Sequence, residues 1–156
     1  FAQAESCILR VKGFLEVIRE HNKGGKALIQ VVSTLESGGA KDIGSKATED
    51  IIQAHSNLRG IFAINDPAAL GAVAALEKAG KADQVVIVGF DGQPEGKQAI
   101  KEGKIYADPI QFPATMGIKM VEALIAHSKG EELPAQALIP TKLYRKQDAL
   151  NDPELK

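Results

Sequence analysis

Polar side chains follow three short apolar segments of this sequence. Asn65 follows the letters IFAI, Asp91 follows VVIVGF, and Gln111 follows IYADPI. Short apolar segments that stop at turn residues are typical of buried strands, and open parallel sheets bind ligands beyond the carboxyl ends of their strands. Amide and carboxylate groups can donate to and accept from hydroxyl groups. The spacing therefore predicts a site at one sheet edge for a ligand rich in hydroxyl groups, such as a sugar.

A simpler interpretation exists for the same residues. Asn65 and Asp66 can serve as capping residues of the helix that Pro67 begins, and Asp91 with Gly92 can form an ordinary turn. We favour a shared site because adjacent parallel strands place their ends side by side. Gln111, at the end of the next strand, extends the same pattern.

The elements that must position these residues alternate along the chain. Apolar spacing and turn residues predict helices at 3–21, 43–55, 66–80, 95–101 and 113–130, and strands at 27–32, 60–64, 84–90, 105–110 and 137–144. Helices between strands imply parallel pairing. We therefore expect an α/β fold, a three-layer α/β/α sandwich with a mainly parallel sheet. The polar residues after 144 are expected to fray.

Composition narrows the function classes. The chain has 156 residues, 44% of them hydrophobic, and a net charge of −1, which gives no reason to expect a nucleic-acid partner. No apolar segment approaches the roughly 20 residues that span a bilayer. Cys7 is the single cysteine, which excludes an internal disulfide and favours a small buried side chain. Because metal-ligand spacing, phosphate loops and a nucleophile elbow are missing, we expect no metal, no cofactor and no catalysis.

Three longer segments carry a family resemblance. IFAINDPAALGAVAALEKAGK, VVIVGFDGQPEGKQAIKEGKI and IPTKLYRKQDAL resemble the carboxyl-terminal half of periplasmic sugar-binding proteins of the ribose-binding type. The resemblance extends over nearly the whole chain. It implies a lobe of the type I periplasmic-binding-protein fold, in which two α/β lobes close over a sugar and present it to the permease of a membrane ABC transporter.

The resemblance also implies which residues bind the sugar. The family has an Arg before the Gly-Phe of its first helix, matched by Arg10 in RVKGF, and an Asn at the position of Asn65. It places further ligands at positions matched by Asp91 and Gln111, and a Phe that flanks the sugar at the position of Phe90. The loop at 36–40 has no aromatic residue, although ribose-type members stack one on the sugar there.

The family pattern predicts a division of the chain. Residues 1–111 would form the carboxyl-terminal sugar-binding lobe, residues 112–137 a helix that packs in the amino-terminal lobe, and residues 138–156 a final crossover strand and tail. That amino-terminal lobe, and the strand that precedes the first helix, do not occur in this sequence, so we expect a fragment or processed product. The helix would then pair with the missing lobe or with a second copy, for instance by a segment swap.

Two functions from different classes remain at this point. The first is the solute-binding component of a sugar ABC transporter, located in the periplasm, or lipid-anchored outside a Gram-positive cell, with a monosaccharide or polyol as ligand. The alternative is the effector-binding domain of a repressor-type transcription regulator, which uses the same fold.

Overall fold

The computed structural model describes residues 3–25 and 27–155 of the chain. Helices and strands alternate over most of its length. The helices are α1 (Glu5–Lys23), α2 (Lys41–Ala54), α3 (Asp66–Lys78), α4 (Pro94–Glu102), α5 (Pro113–Ser128) and α6 (Lys146–Asn151), followed by a 3-10 turn at Pro153–Leu155. The strands are β1 (Gly60–Phe62), β2 (Val86–Val88), β3 (Ala107–Ile110) and β4 (Lys142–Arg145).

The four strands form one mixed sheet in the order β1-β2-β3-β4. The first three are parallel, with Gly60 opposite Val86 and Val88 opposite Ala107, and an additional parallel bridge joins Asp91 to Ile110. β4 runs antiparallel to β3. The predicted α/β class with a mainly parallel sheet is confirmed.

The two faces of the sheet are covered by different helices, because neighbouring side chains of a strand point to opposite faces. Ile61 packs into the main core, where Leu76 of α3 and Ile100 of α4 are fully buried. Phe62, on the other face, stacks on Phe14 of α1 with ring centroids 4.7 Å apart. The sheet therefore lies between helices on both sides, as the three-layer prediction requires.

The backbones of α2 and α3 lie very close to each other where the two helices cross. A Cβ atom on Gly44 would lie 2.9 Å from the carbonyl oxygen of Ala68, and one on Gly71 would overlap the backbone of Lys41. The small residues of α3 thus allow two helix backbones to approach each other and fix the position of the α3 amino terminus.

The predicted strand at 27–32 is wrong. This segment is irregular, and its apolar side chains are exposed, with Leu28 80% accessible. The side-chain amide of Asn22 binds both the backbone N–H and the carbonyl oxygen of Ile29 at 2.9 Å. β propensity favours an extended chain, but a strand also needs a neighbouring strand, and this segment pairs with none in the described part of the chain.

The prediction that the chain frays after 144 is also wrong. Tyr144 donates a hydrogen bond from its hydroxyl group to Asp152 at 2.7 Å, and Lys97 of α4 lies 3.2 Å from Asp152 and 2.8 Å from Glu154. Ala149 of α6 is fully buried. Helix α6 and the final turn are therefore held against α4 by apolar and charged contacts that the polar composition does not reveal.

α5 has a different environment from the other long helices. None of its residues is buried, and Met120 and Leu124 are 64% and 62% exposed. No helix among the described residues is both long and apolar enough to cross a membrane. α5 therefore presents an apolar surface without a covering layer within the described chain.

Candidate ligand-binding site

An arginine, a carboxylate and an amide meet at the carboxyl ends of the parallel strands. Arg10 of α1 donates to Asp91 Oδ1 at 2.8 Å and to the carbonyl oxygen of Ile64 at 2.7 Å. Gln111, which follows β3, donates to the same Asp91 oxygen at 2.5 Å. The side chains of Arg10 and Asp91 are 12% and 18% exposed, so the pair lies at the surface edge of the sheet and is partly shielded from water.

Phe90 completes this cluster. The Arg10 guanidinium lies over the Phe90 ring, 3.9 Å from its centroid. Such a cation–π contact, together with the two hydrogen bonds, restricts the guanidinium to one orientation. Arg10, Phe90, Asp91 and Gln111 therefore form one contiguous group, which we call the polar cluster.

Asp91 owes its position to an unusual backbone. Its φ angle is 112°, a region that L-residues rarely adopt, and Gly92 follows with φ 78°. The Asp91 N–H donates to the carbonyl oxygen of Pro109 at 3.2 Å, and the Gln111 N–H donates to the carbonyl oxygen of Asp91 at 2.9 Å. The chain between β2 and α4 is thus tied to the end of β3, and this turn directs the Asp91 carboxylate toward Arg10.

Asn65 lies at the same sheet edge but outside the polar cluster. Its side-chain oxygen accepts from the Ala68 N–H, and its amide nitrogen donates to the carbonyl oxygen of Gly39, both at 3.1 Å. Asn65 is therefore the N-cap of α3, and Asp66, the other capping candidate, is the first residue of the helix. Sugar binding by Asn65 stays a prediction.

Two carboxyl groups that were not among the candidate site residues lie behind this edge. Asp66 and Asp108 are both fully buried, and their carboxyl groups lie beside each other. Burial raises the pKa of Asp66, and burial with the neighbouring Asp66 carboxyl raises the pKa of Asp108 to about 9. Since the pKa of both carboxyl groups is raised, the pair is expected to retain a proton at neutral pH. A charged residue inside the apolar segment IYADPI was the signal that sequence reasoning passed over.

The best-defined groove of the described chain lies away from the polar cluster. A groove of about 410 Å³ occurs between α3 and α4, with Leu70 and Gln98 among its lining residues, and it contains no member of the polar cluster. Among the described residues no three His, Cys, Asp or Glu side chains form a group that could hold a metal ion. The polar cluster places N–H donors and carboxylate oxygens side by side at this edge of the sheet.

Comparison with known proteins decides the family. Residues 1–132 match the family model described as the periplasmic binding protein domain. The chain belongs to this family. The ribose import binding protein RbsB of Salmonella typhimurium is 36% identical over 138 residues, which are 88% of this chain and 44% of that protein. The D-apiose import binding protein of Paraburkholderia graminis is 31% identical over 143 residues, 90% of this chain and again 44% of the relative.

The fold of the chain is also similar to that of a solved structure. The ABC transporter solute-binding protein from Bacillus halodurans with bound myo-inositol superposes with a TM-score of 0.81 at 28% identity, over 92% of this chain and 48% of that chain. This periplasmic-binding-protein chain therefore has the type I lobe fold. It spans about half the length of the relatives it matches.

Proposed function

We propose that this chain is the carboxyl-terminal lobe of a solute-binding protein that captures a monosaccharide or related polyol for an ABC transporter. The observation that carries the proposal is the polar cluster at the carboxyl ends of β1 to β3. Arg10 and Gln111 present N–H donors there and Asp91 presents carboxylate oxygens, the combination that neighbouring sugar hydroxyl groups can satisfy.

The polar cluster supports binding over catalysis. It contains no serine, cysteine or histidine beside a base, so a nucleophile activated by an adjacent group is not provided. The polar groups contact one another in fixed geometry, which suits recognition of hydroxyl positions. We therefore propose that the protein is not an enzyme.

The division of the chain follows from the same proposal. Residues 1–111 carry the polar cluster, and α5, in residues 112–137, exposes apolar side chains along its length. In a two-lobed protein that helix would pack in the amino-terminal lobe, and residues 138–156 would return to the first lobe as β4 and α6. The relatives are import binding proteins, which supports transport over gene regulation and a location outside the cytoplasmic membrane.

A panel of ligands tests this function in the complete protein that contains this chain. Its thermal unfolding would be measured with D-ribose and D-apiose, which the names of the relatives suggest, with myo-inositol, which is bound in the similar solved structure, and with ribose 5-phosphate as a phosphorylated control. A ligand at 100 times its Kd stabilises the folded state by about 2.7 kcal/mol, a shift of several degrees. We expect such a shift with at least one neutral sugar or polyol. A shift with the phosphosugar alone, or with none of the panel, would contradict the proposal.

A further inference from the structure

The fold buries the carboxyl groups of Asp66 and Asp108, which is energetically unfavourable for polar groups without partners. Both residues are completely buried, and Asp66 Oδ1 and both Asp108 oxygens have no hydrogen-bond partner among the surrounding donors of the described residues, although the two carboxyl groups lie beside each other. Unpaired buried carboxyl groups are strongly unfavourable, so a shared proton is the arrangement that satisfies them.

Two glycines provide the space for this pair. A Cβ atom on Gly96 of α4 would overlap the Asp66 carboxyl group, and one on Gly89 would overlap Asp108 Oδ1 and lie 3.1 Å from Asp66 Oδ1. The helix and the end of β2 thus approach the carboxyl groups as closely as backbone allows. Neither Gly96 nor Gly89 adopts a positive φ angle, so the absence of a side chain there serves the close approach.

The pair is connected to the polar cluster through the backbone that follows Asp91. Asp66 Oδ2 accepts the Gln93 N–H at 2.6 Å, and the Gly92 N–H also faces the Asp66 carboxylate. Asp108 lies between Ala107 and Pro109 on β3, and the carbonyl oxygen of Pro109 accepts the Asp91 N–H. The Asp66 carboxylate therefore binds one side of the turn that holds Asp91 at its unfavourable φ angle, and the backbone of the strand that carries Asp108 binds the other side.

We propose that Asp66 and Asp108, buried side by side behind the sheet edge, act as positioning residues for ligand binding, because they hold the 91–93 turn in the geometry that directs the Asp91 carboxylate to the ligand. This inference rests on the proposed function for its ligand. Asp66 is the carboxylate that accepts the turn's N–H groups, and Asp108 is the acid that donates to it. Loss of the shared proton would place two negative charges side by side and release the turn.

The titratable groups that surround the Asp66–Asp108 pair decide whether its titration can be observed separately from theirs. Asp91 acts on both carboxyl groups and raises the pKa of each. Lys97 of α4 is engaged with Asp152 and Glu154, and Tyr144, opposite Asp108 on β4, donates to Asp152. Burial and the contact with Asp152 raise the pKa of Tyr144 further from neutrality. Among the groups around the pair, Asp108 is therefore the one whose protonation is expected to change between pH 7 and 9.5.

The test uses the complete protein, with D-ribose as the probe and calorimetry between pH 7 and 9.5. Asp66→Asn replaces the carboxylate that accepts from Gly92 and Gln93 and is expected to weaken binding about tenfold or more, the usual effect of losing a charged hydrogen bond. Asp108→Asn keeps a donor toward Asp66. The Asp108→Asn variant should bind D-ribose with wild-type affinity at pH 7. The fall in affinity that we expect of the wild type toward pH 9.5 should be absent from this variant. Asp83→Asn, an exposed acid, is the control and should match the wild type throughout.

A second readout decides the inference without a ligand. In the wild type the Gln93 amide resonance and the side-chain carboxyl resonance of Asp108 should shift together, with a midpoint near the raised pKa of about 9. An Asp108 resonance that titrates near pH 4, or a Gln93 amide that ignores it, would overturn the inference even if Asp66→Asn fails to fold. Equal affinity of Asp66→Asn and wild type, or an alkaline loss that persists in Asp108→Asn, would also overturn it. If the wild type binds no sugar of the panel, the proposed function fails and the resonances alone decide the inference.

Discussion

Arg10 is the main polar link between α1 and the sheet, and its removal should have a large effect on the stability of that helix. The guanidinium makes two hydrogen bonds, to Asp91 at 2.8 Å and to the Ile64 carbonyl at 2.7 Å, and it covers the Phe90 ring. Hydrogen bonds that involve a charged group contribute about 1.5–3 kcal/mol each, and a cation–π contact about 1 kcal/mol. Since the ion pair is only partly shielded, we take the lower end of these ranges and expect Arg10→Met to lower the free energy of unfolding by about 3 kcal/mol.

Urea unfolding of the complete protein measures this change, and hydrogen exchange of the α1 amides locates it. Arg10→Lys should recover less than half of the loss, because an ammonium group cannot present the fork of donors that reaches both acceptors. Arg19→Met, an exposed substitution on the same helix, is the matched control and should stay within about 0.5 kcal/mol of the wild type. If Arg10→Met were no less stable than Arg19→Met, the contacts described for Arg10 would not hold α1 on the sheet.

Three further predictions follow from other parts of the chain. The pKa of Asp108 is raised to about 9 in the folded protein, so the stability that its protonated carboxyl group contributes is complete below about pH 4 and is lost as pH rises toward 9. The unfolding free energy of the wild type should therefore fall by about 1 kcal/mol per pH unit between pH 6 and 9, and Asp108→Asn should remove this fall. An unchanged slope in Asp108→Asn would contradict the prediction. Gly96→Ala should destabilise the protein by about 1–3 kcal/mol in thermal unfolding, because the added Cβ would overlap Asp66. Gly13→Ala should instead stabilise α1 by up to about 1 kcal/mol, because no atom of the described chain, apart from the adjacent helix backbone, lies within 4 Å of the added Cβ. Equal effects of the two substitutions would refute this contrast. The isolated 156-residue chain should self-associate through α5 in sedimentation experiments, and Met120→Glu should suppress this; a monomer at high concentration would argue against such pairing.

Local signals in the sequence were sufficient where one segment determines its own structure. Asn65 and Pro67 mark the start of α3, and Gly103, with φ 81°, ends α4 as a left-handed C-cap. The apolar segments before Asp91 and Gln111 became β2 and β3, so their parallel pairing brought these side chains together. The same reasoning placed Cys7 in the interior, where it is 6% exposed.

The failures depend on partners distant in sequence. Segment 27–32 has the composition of a strand, but pairing with another strand decides whether one forms. Residues after 144 are polar, yet the ion pair between Lys97 of α4 and Asp152 holds them against α4. The two partners of this pair are more than 40 positions apart along the chain. The Asp66–Asp108 contact is likewise long-range, and only the fold reveals that two acids share one buried space.

The most direct test of the proposed sugar-binding site is a calorimetric titration of the complete protein with the sugar that gives the largest thermal shift. Asp91→Ala removes the carboxylate that joins Arg10 and Gln111, and Asp83→Ala removes an exposed acid as the control. Loss of one charged hydrogen bond corresponds to roughly a tenfold to hundredfold loss of affinity. We predict that Asp91→Ala weakens binding by at least tenfold while Asp83→Ala binds as the wild type does. Unchanged affinity in Asp91→Ala would contradict the assignment of the polar cluster as the ligand site.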